Sequence, residues 1–165
     1  MFDVKPVISK KGSDCGAVCM KMLLSYYGKD VTIEDMYRDC NIKLTGCTGK
    51  DLLNCGRKHG LDMIAWGTDT DDVTTIFDRP AIVWWKRNHF VVCCGTNDEG
   101  KVVICNPVRG RYAVSKSLFQ MYYDKAFKTQ REDGSDFWCG VAFCAGEPGI
   151  EGETIDDDNA ERVNG

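Results

Sequence analysis

The sequence predicts an α+β domain, in which helices occupy the first part of the chain and an antiparallel sheet follows. The segment 17–24 is apolar apart from Lys21, which is typical of a helix that is buried on nearly every side. Residues 80–105 differ, because short runs of β-favouring residues alternate there with polar turns. The helical and the extended patterns occupy separate parts of the chain, which is the α+β arrangement.

Three helices are predicted in the first part of the chain from the signals at their ends. Gly28 is suited to the left-handed conformation that closes a helix, so the first helix stops before it. Thr32 and Thr48 are each followed three residues later by an aspartate, which is a capping pattern at a helix start. The predicted helices cover residues 15–27, 32–39 and 48–60.

The rest of the folded chain is predicted to consist mainly of strands. Pro80 to Trp85 is an apolar run of β-favouring residues, and the polar turn 97–100 joins two later runs into a hairpin. Strands are predicted over residues 61–66, 80–85, 88–95, 101–105, 112–114, 126–128 and 137–144, with short helices over 69–77 and 115–122.

The length of 165 residues is enough for one domain with its own core, which we place at residues 1–146. Residues 147–165 carry seven acidic side chains, a single base in Arg162, and few apolar groups. That composition predicts a flexible, solvated tail. The tail has a net charge of −6 and the whole chain −4, which leaves the folded part at +2.

Composition and charge argue against several classes of function. A weakly basic body with scattered lysines gives no nucleic-acid surface, and no apolar run approaches the ~20 residues of a membrane helix. No N-terminal export signal is present, so we expect a cytoplasmic protein in which most of the ten cysteines are small buried hydrophobic residues. No C-x-x-C pair occurs, and we expect neither a metal nor another cofactor.

Cys15 is the candidate nucleophile. It lies at the start of the first helix, where the positive end of the helix dipole lowers the pKa of a thiol. His89 is the candidate base, since the turn 97–100 places it opposite about residue 108 and within two positions of Asn106. An imidazole that serves a thiol needs such a partner to fix its orientation. The same residues also fit a plainer interpretation, in which the cysteine packs and the histidine binds a turn asparagine.

Five short segments resemble the C39 family of cysteine peptidases, and they occur in the order of that family. They are Asp14-Cys15-Gly16-Ala17, Tyr26-Tyr27-Gly28-Lys29, Pro80-Ala81-Ile82-Val83-Trp84-Trp85, Asn88-His89-Phe90-Val91-Val92 and Asn106-Pro107-Val108-Arg109-Gly110. The resemblance covers about residues 7–130. It implies a papain-like fold and a thiol peptidase of the bacteriocin-processing type, which cleaves peptides after a Gly-Gly leader.

The resemblance also implies roles for individual residues. Cys15 would be the nucleophile, His89 the general base and acid, and Asn106 the residue that orients the imidazole, where the family usually has an aspartate. The family carries a glutamine six residues before the cysteine, whose amide completes the oxyanion hole, and Ser9 stands at that position here. The oxyanion would then bind the backbone N–H of Cys15, with Ser9 as a further candidate donor.

Trp84 and Trp85 are candidate walls of a substrate groove that selects small residues before the scissile bond. Alternation along the strand places only one of them on the face of the site. In most of the family the domain is fused to a membrane exporter, and from the absence of such a segment we expect a free-standing member whose partner is a peptide substrate. Two other functions stay open: an acyl or peptidyl transferase that uses the same cysteine, and a non-catalytic peptide-binding domain.

Overall fold

The computed structural model describes residues 1–70 and 77–165. The predicted short helix over 69–77 therefore lies mostly outside the described residues. The elements in chain order are α1 (Cys15–Tyr26), α2 (Ile33–Asp39), α3 (Gly49–Lys58), β1 (Met63–Thr68), β2 (Ala81–Trp85), β3 (His89–Thr96), β4 (Val102–Asn106), β5 (Gly110–Val114), α4 (Lys116–Tyr122), β6 (Phe127–Gln130), β7 (Asp136–Ala145), β8 (Glu153–Ile155) and α5 (Asp157–Ala160).

The predicted helix caps are present in the structure. The hydroxyl of Thr32 accepts a hydrogen bond of 3.0 Å from the backbone N–H of Asp35. Thr48 and Asp51 form a full capping box, in which each side chain accepts from the backbone N–H of the other residue. Since these bonds satisfy N–H groups that a helix start leaves unpaired, they define where α2 and α3 begin.

The described strands form one antiparallel sheet in the order β5-β4-β3-β2-β7-β1-β8, with β6 paired to β7. Side chains alternate across it, so that Phe90 and Val92 face the cluster that contains α1, α2 and α3. Val91 and Cys93 face the opposite cluster, which contains Phe119 of α4. The α+β class is confirmed, and α1 lies directly on the strand that begins at His89.

The tail differs from the prediction of a flexible, solvated end. β8 pairs with β1, and α5 follows it. Ile155, Ala160 and Val163 are all buried in the cluster around α1. These apolar residues are too widely spaced in the sequence to produce a periodic pattern, so the local composition did not indicate that each of them reaches the core.

The acidic residues of the tail face basic residues of α3. The guanidinium of Arg57 donates to both carboxylate oxygens of Asp157 at 2.7 and 3.2 Å, and also to the carbonyl of Met63 at 3.2 and 3.0 Å. Lys50 lies 3.7 Å from Asp158. Opposite charge thus supplements the small apolar contact that holds the tail on the domain.

Within residues 1–70 and 77–165, no helix has the length and the apolar character that crossing a bilayer requires.

Replacing Arg57 should loosen the tail. Arg57→Ala removes the ion pair and the two bonds to the Met63 carbonyl, so we expect the free energy of unfolding to fall by about 1–2 kcal/mol. Asp157→Asn removes the ion pair alone and should cost less than about 1 kcal/mol, because the pair is solvent-exposed. Urea denaturation of both variants measures these losses, and equal effects would contradict the role of the Met63 bonds.

The ion pair also predicts a pH dependence. Arg57 holds the pKa of Asp157 below its ordinary value of 3.8. The contribution of the pair is therefore present above pH 3.8 and is lost as the pH falls through the lower, folded-state pKa. The difference in stability between the wild type and Asp157→Asn should shrink over that window.

Candidate active site

Phe90, the second residue of β3, joins α1 to the sheet. Its carbonyl accepts a hydrogen bond of 3.3 Å from the thiol of Cys19, and its backbone N–H is directed to the sulfur of Cys15. Its ring lies beside Gly16, where an added Cβ would be 3.4 Å from the ring edge. Cys15 and Cys19 are one helical turn apart, so two successive turns of α1 contact the same residue of β3. This contact brings Cys15 to the residue that follows His89.

Cys15 is only 7% exposed, and the direction of its pKa shift is opposite to the sequence prediction. Burial raises the pKa of the thiol, and the neighbouring carboxylate of Asp14 raises it further. The backbone N–H groups of Phe90 and Gly16 favour the thiolate but do not overcome the burial. The prediction from the helix end was wrong because it assumed a solvated thiol, whereas desolvation disfavours the charged form.

Asp14 is fully buried directly before the candidate nucleophile. Its carboxylate accepts hydrogen bonds from the hydroxyl of Tyr37 at 2.8 Å and from the backbone N–H groups of Lys10 and Lys11 at 3.2 and 3.3 Å. Burial, together with this carboxylate, raises the pKa of Tyr37 to about 12. The hydroxyl of Ser9 also contacts Asp14, and it lies 2.6 Å from the carbonyl of Lys11. Ser9 is thus engaged with the loop before α1.

His89 begins β3, and the β3–β4 register agrees with the predicted hairpin at Val92 and Cys93, which pair with Cys105 and Ile104. The turn itself differs by one position, since a bulge shifts the register between Cys93 and Thr96. The ring nitrogen Nε2 of His89 lies 3.0 Å from Oδ1 of Asn106, so the predicted side-chain contact is present.

The surroundings of Asn106 determine the orientation of its amide. The backbone N–H of Val108 can only donate, and it lies 2.9 Å from Oδ1. The amide nitrogen Nδ2 donates to the hydroxyl of Tyr112 at 3.0 Å. Because Oδ1 therefore faces the imidazole, Nε2 of His89 carries the proton in the neutral ring. Nδ1 is then the basic nitrogen.

The environment of His89 favours the neutral imidazole. Burial lowers its pKa from the ordinary value of 6.5, the bond to Asn106 partly opposes that shift, and the charge of Lys86 adds to it. At neutral pH the imidazole and the thiol of Cys15 are therefore both uncharged in this structure.

The turn that leads into His89 has an unusual backbone. Lys86 and Arg87 have φ angles of 56° and 65°, in the left-handed region that most residues avoid. The N–H of Lys86 donates to the carbonyl of Tyr122 at 2.8 Å, and Arg87 forms an ion pair of 2.8 Å with Asp124. The end of α4 thus holds the strained turn from which His89 emerges.

The two tryptophans lie on opposite faces of the sheet. Trp84 is half-buried on the α1 face, and its indole N–H donates to the carbonyl of Asn164 at 3.0 Å. Trp85 is buried between the rings of Phe119 and Tyr122. Only Trp84 therefore lies on the side of Cys15.

The other histidine and the remaining cysteines form contacts that hold the fold together. Nε2 of His59 lies 2.7 Å from the buried carboxylate of Asp39, which also binds Arg38 and Lys58. All ten cysteines are free and buried, and the sulfur atoms of Cys40 and Cys55 lie 2.8 Å apart. In the part of the chain that the structure describes, no group of three or more His, Cys, Asp or Glu side chains is placed to hold a metal ion.

Asp14, Tyr112 and Phe90 were not predicted as site residues. Tyr112 could have been found from alternation, because it faces the end of β4 two residues after the turn. Asp14 carries a weaker signal, a lone carboxylate directly before an apolar helix. Nothing in the sequence distinguishes Phe90 from its neighbours in an apolar strand.

The sequence matches the peptidase C39 family over residues 3–130. The chain belongs to that family. It is 34% identical over 93 residues to the lacticin-481/lactococcin-DR transport/processing ATP-binding protein of Lactococcus lactis, which is 54% of this chain and 14% of that protein. It is 24% identical over 119 residues to the colicin V secretion/processing ATP-binding protein of Escherichia coli, which is 72% of this chain and 17% of that protein. The chain thus spans only a small part of the length of these relatives.

Two solved structures share the fold of this C39 domain. One is a double-glycine-motif protease from an AMS/PCAT transporter in complex with the leader peptide, with a TM-score of 0.72, 22% identity, and coverage of 86% of this chain and 90% of that one. The other is the peptidase domain of Streptococcus ComA, a bifunctional ABC transporter, with a TM-score of 0.66, 19% identity, and coverage of 86% and 96%. These likenesses confirm the predicted papain-like fold class.

Asn106→Asp tests the geometry of the imidazole. A carboxylate 3.0 Å from Nε2 would stabilise the imidazolium, so we expect the pKa of His89 to rise from below 6.5 to above it. An NMR titration of the imidazole signals measures this change, with His59 as the internal reference. An unchanged pKa of His89 would show that the two side chains do not interact in solution.

Proposed function

We propose that this chain is a cysteine peptidase that cleaves peptides after small residues of the Gly-Gly leader type. The observation that carries the proposal is the order of residues at the start of β3, where His89, with Nδ1 free of the proton, directly precedes Phe90, the residue whose N–H favours the thiolate of Cys15. Membership of the C39 family supports the same assignment. The relatives' processing function and the leader peptide bound to the solved protease support a leader peptide as the substrate.

The proposed reaction begins when the thiol of Cys15 attacks the peptide carbonyl and passes its proton to Nδ1 of His89. The backbone N–H of Cys15 is the proposed donor to the resulting oxyanion. The imidazolium, whose Nε2–H stays bonded to Asn106, then protonates the leaving amine. Water attacks the thioester with His89 as the base, and the free thiol is restored. We place this activity in a reducing, cytoplasmic compartment, because ten unpaired thiols are compatible with that environment.

A non-catalytic peptide-binding domain is the second candidate, and the environment of Ser9 favours it. The hydroxyl of Ser9 is engaged with Asp14 and Lys11. A buried carboxylate next to the nucleophile also opposes negative charge where the oxyanion would form. This candidate binds the peptide but lacks the hydrolysis step.

Substitution of the proposed nucleophile and base tests the peptidase function. With a Gly-Gly leader peptide, Cys15→Ala and His89→Ala should each lower kcat by at least ~10³-fold. Cys93→Ala and His59→Ala are the matched controls on other parts of the fold and should retain kcat. Mass spectrometry of the peptide products gives the rates.

The other outcomes of that assay identify the alternatives. Tight binding of the peptide without cleavage that depends on Cys15 would establish the binding domain instead. A product that appears only with an added amine or thiol would establish a transferase.

Ser9 variants test the oxyanion site. If the Ser9 hydroxyl only supports Asp14, Ser9→Ala should lower kcat by less than ~10-fold, since a true oxyanion donor is worth about 10²–10³. Ser9→Gln supplies the amide that the family uses and should raise kcat. A loss of about 10² or more in Ser9→Ala would contradict this and make Ser9 the donor.

A further inference from the structure

The end of the tail is paired as a β-strand beside the candidate active site. Residues 163–165 lie antiparallel to residues 47–49. Gly165 and Cys47 exchange both of their backbone hydrogen bonds, each at 3.1 Å, and the carbonyl of Val163 accepts a third bond of 2.8 Å. Pairing of this kind is how extended peptides bind to the exposed strand edges of many proteins.

The opposite side of the tail contacts Trp84 and Phe90. The indole N–H of Trp84 donates to the carbonyl of Asn164 at 3.0 Å. A Cβ added to Gly165 would lie 2.6 Å from two ring atoms of Phe90, much closer than carbon atoms approach. The position therefore accepts glycine and excludes any larger residue unless Phe90 moves.

The residues that hold the tail also border the nucleophile. The thiol of Cys47 and the ring of Phe90 are both among the nearest atoms to the place where a Cβ on Gly16 would lie. Charge on Cys15 raises the pKa of Cys47, although burial is the main cause of that shift. Gly165 is thus bound between two residues that flank Cys15, in a place where only glycine fits.

We propose that residues 163–165 are an intramolecular pseudosubstrate, which occupies the cleft between residues 47–49 and the side chains of Trp84 and Phe90 until a substrate displaces it. The proposal rests on the proposed peptidase function, since the cleft is assigned to the substrate on that basis. The segment has the two properties that such an occupant requires: an extended backbone paired on one side of the cleft, and a glycine at the position that excludes side chains.

Charge and packing hold the pseudosubstrate near the cleft. Arg57 pairs with Asp157, and Arg162 donates to the carbonyl of Lys128 at 2.8 Å while its guanidinium lies 4.3 Å from the ring of Phe127. A short tether of this kind gives an effective concentration of the order of millimolar. A free peptide therefore competes against the tail, and its apparent affinity falls by the fraction of molecules in which the cleft is open.

Gly165→Val tests the proposal without changing a catalytic group. Its side chain would collide with Phe90, so the cleft should open, and alkylation of Cys15 by iodoacetamide should be about 10-fold faster than in the wild type. The KM for a Gly-Gly leader peptide should fall by a similar factor at unchanged kcat. Glu161→Gln is the matched control, because this exposed side chain lies in the same segment but outside the paired residues. Equal alkylation rates in all three proteins would overturn the proposal.

NMR of the wild type provides a second measurement that does not depend on the folding of a variant. A saturating Gly-Gly leader peptide should shift the indole N–H signal of Trp84 and the amide signal of Gly165, because the peptide replaces the tail. Binding of the peptide with both signals unmoved would overturn the pseudosubstrate. Absence of both cleavage and binding in every protein would overturn the proposed function, and the alkylation rates would still decide whether the tail closes the cleft.

Discussion

The contact between α1 and Phe90 of β3 is the constraint on which the candidate site depends. The carbonyl of Phe90 accepts a hydrogen bond from the thiol of Cys19, and its N–H is directed to Cys15. Its ring lies beside Gly16. Because His89 precedes Phe90 in the same strand, the docking of the helix and the placement of the proposed base are coupled. A shift of α1 by a single turn would remove Cys19 from the Phe90 carbonyl, which would then lose this hydrogen bond in the core.

Burial gives the thiol and the imidazole their protonation states. Both are withdrawn from water, which raises the pKa of Cys15 and lowers that of His89. An aspartate at position 106 would favour the imidazolium and thus a preformed ion pair, whereas the neutral amide of Asn106 fixes the tautomer without adding charge. The proposed reaction is therefore a general-base reaction, in which the proton moves as the sulfur attacks.

The sequence predicted those features that depend on neighbours in the chain, and missed those that depend on distant contacts. The helix caps and the contact between the hairpin strands are local, so the capping box at Thr48 and the contact of His89 with Asn106 followed from spacing. The tail was assigned as flexible because Ile155 and Val163 are isolated in an acidic segment, and their backbone partners, Ala65 of β1 and Gly49 of α3, lie 90 and 114 residues earlier. The thiol pKa was assigned in the wrong direction for a related reason, since helix position is local and desolvation is not.

In the proposed mechanism, one equilibrium between the bound and the released tail controls both the occupancy of the cleft and the pKa of the Cys15 thiol. While residues 163–165 lie against Phe90 and Cys47, little water reaches Cys15, and the desolvation that raises its pKa is maintained. When the tail leaves, water reaches Cys15 and desolvation raises its pKa less. The N–H groups that favour the thiolate stay in place with α1 and β3. The open form is thus the one with the more acidic thiol, and a peptide that binds it selects a more reactive state. Occupancy of the cleft and reactivity of Cys15 are then linked through solvation alone, and neither Cys15 nor His89 has to move.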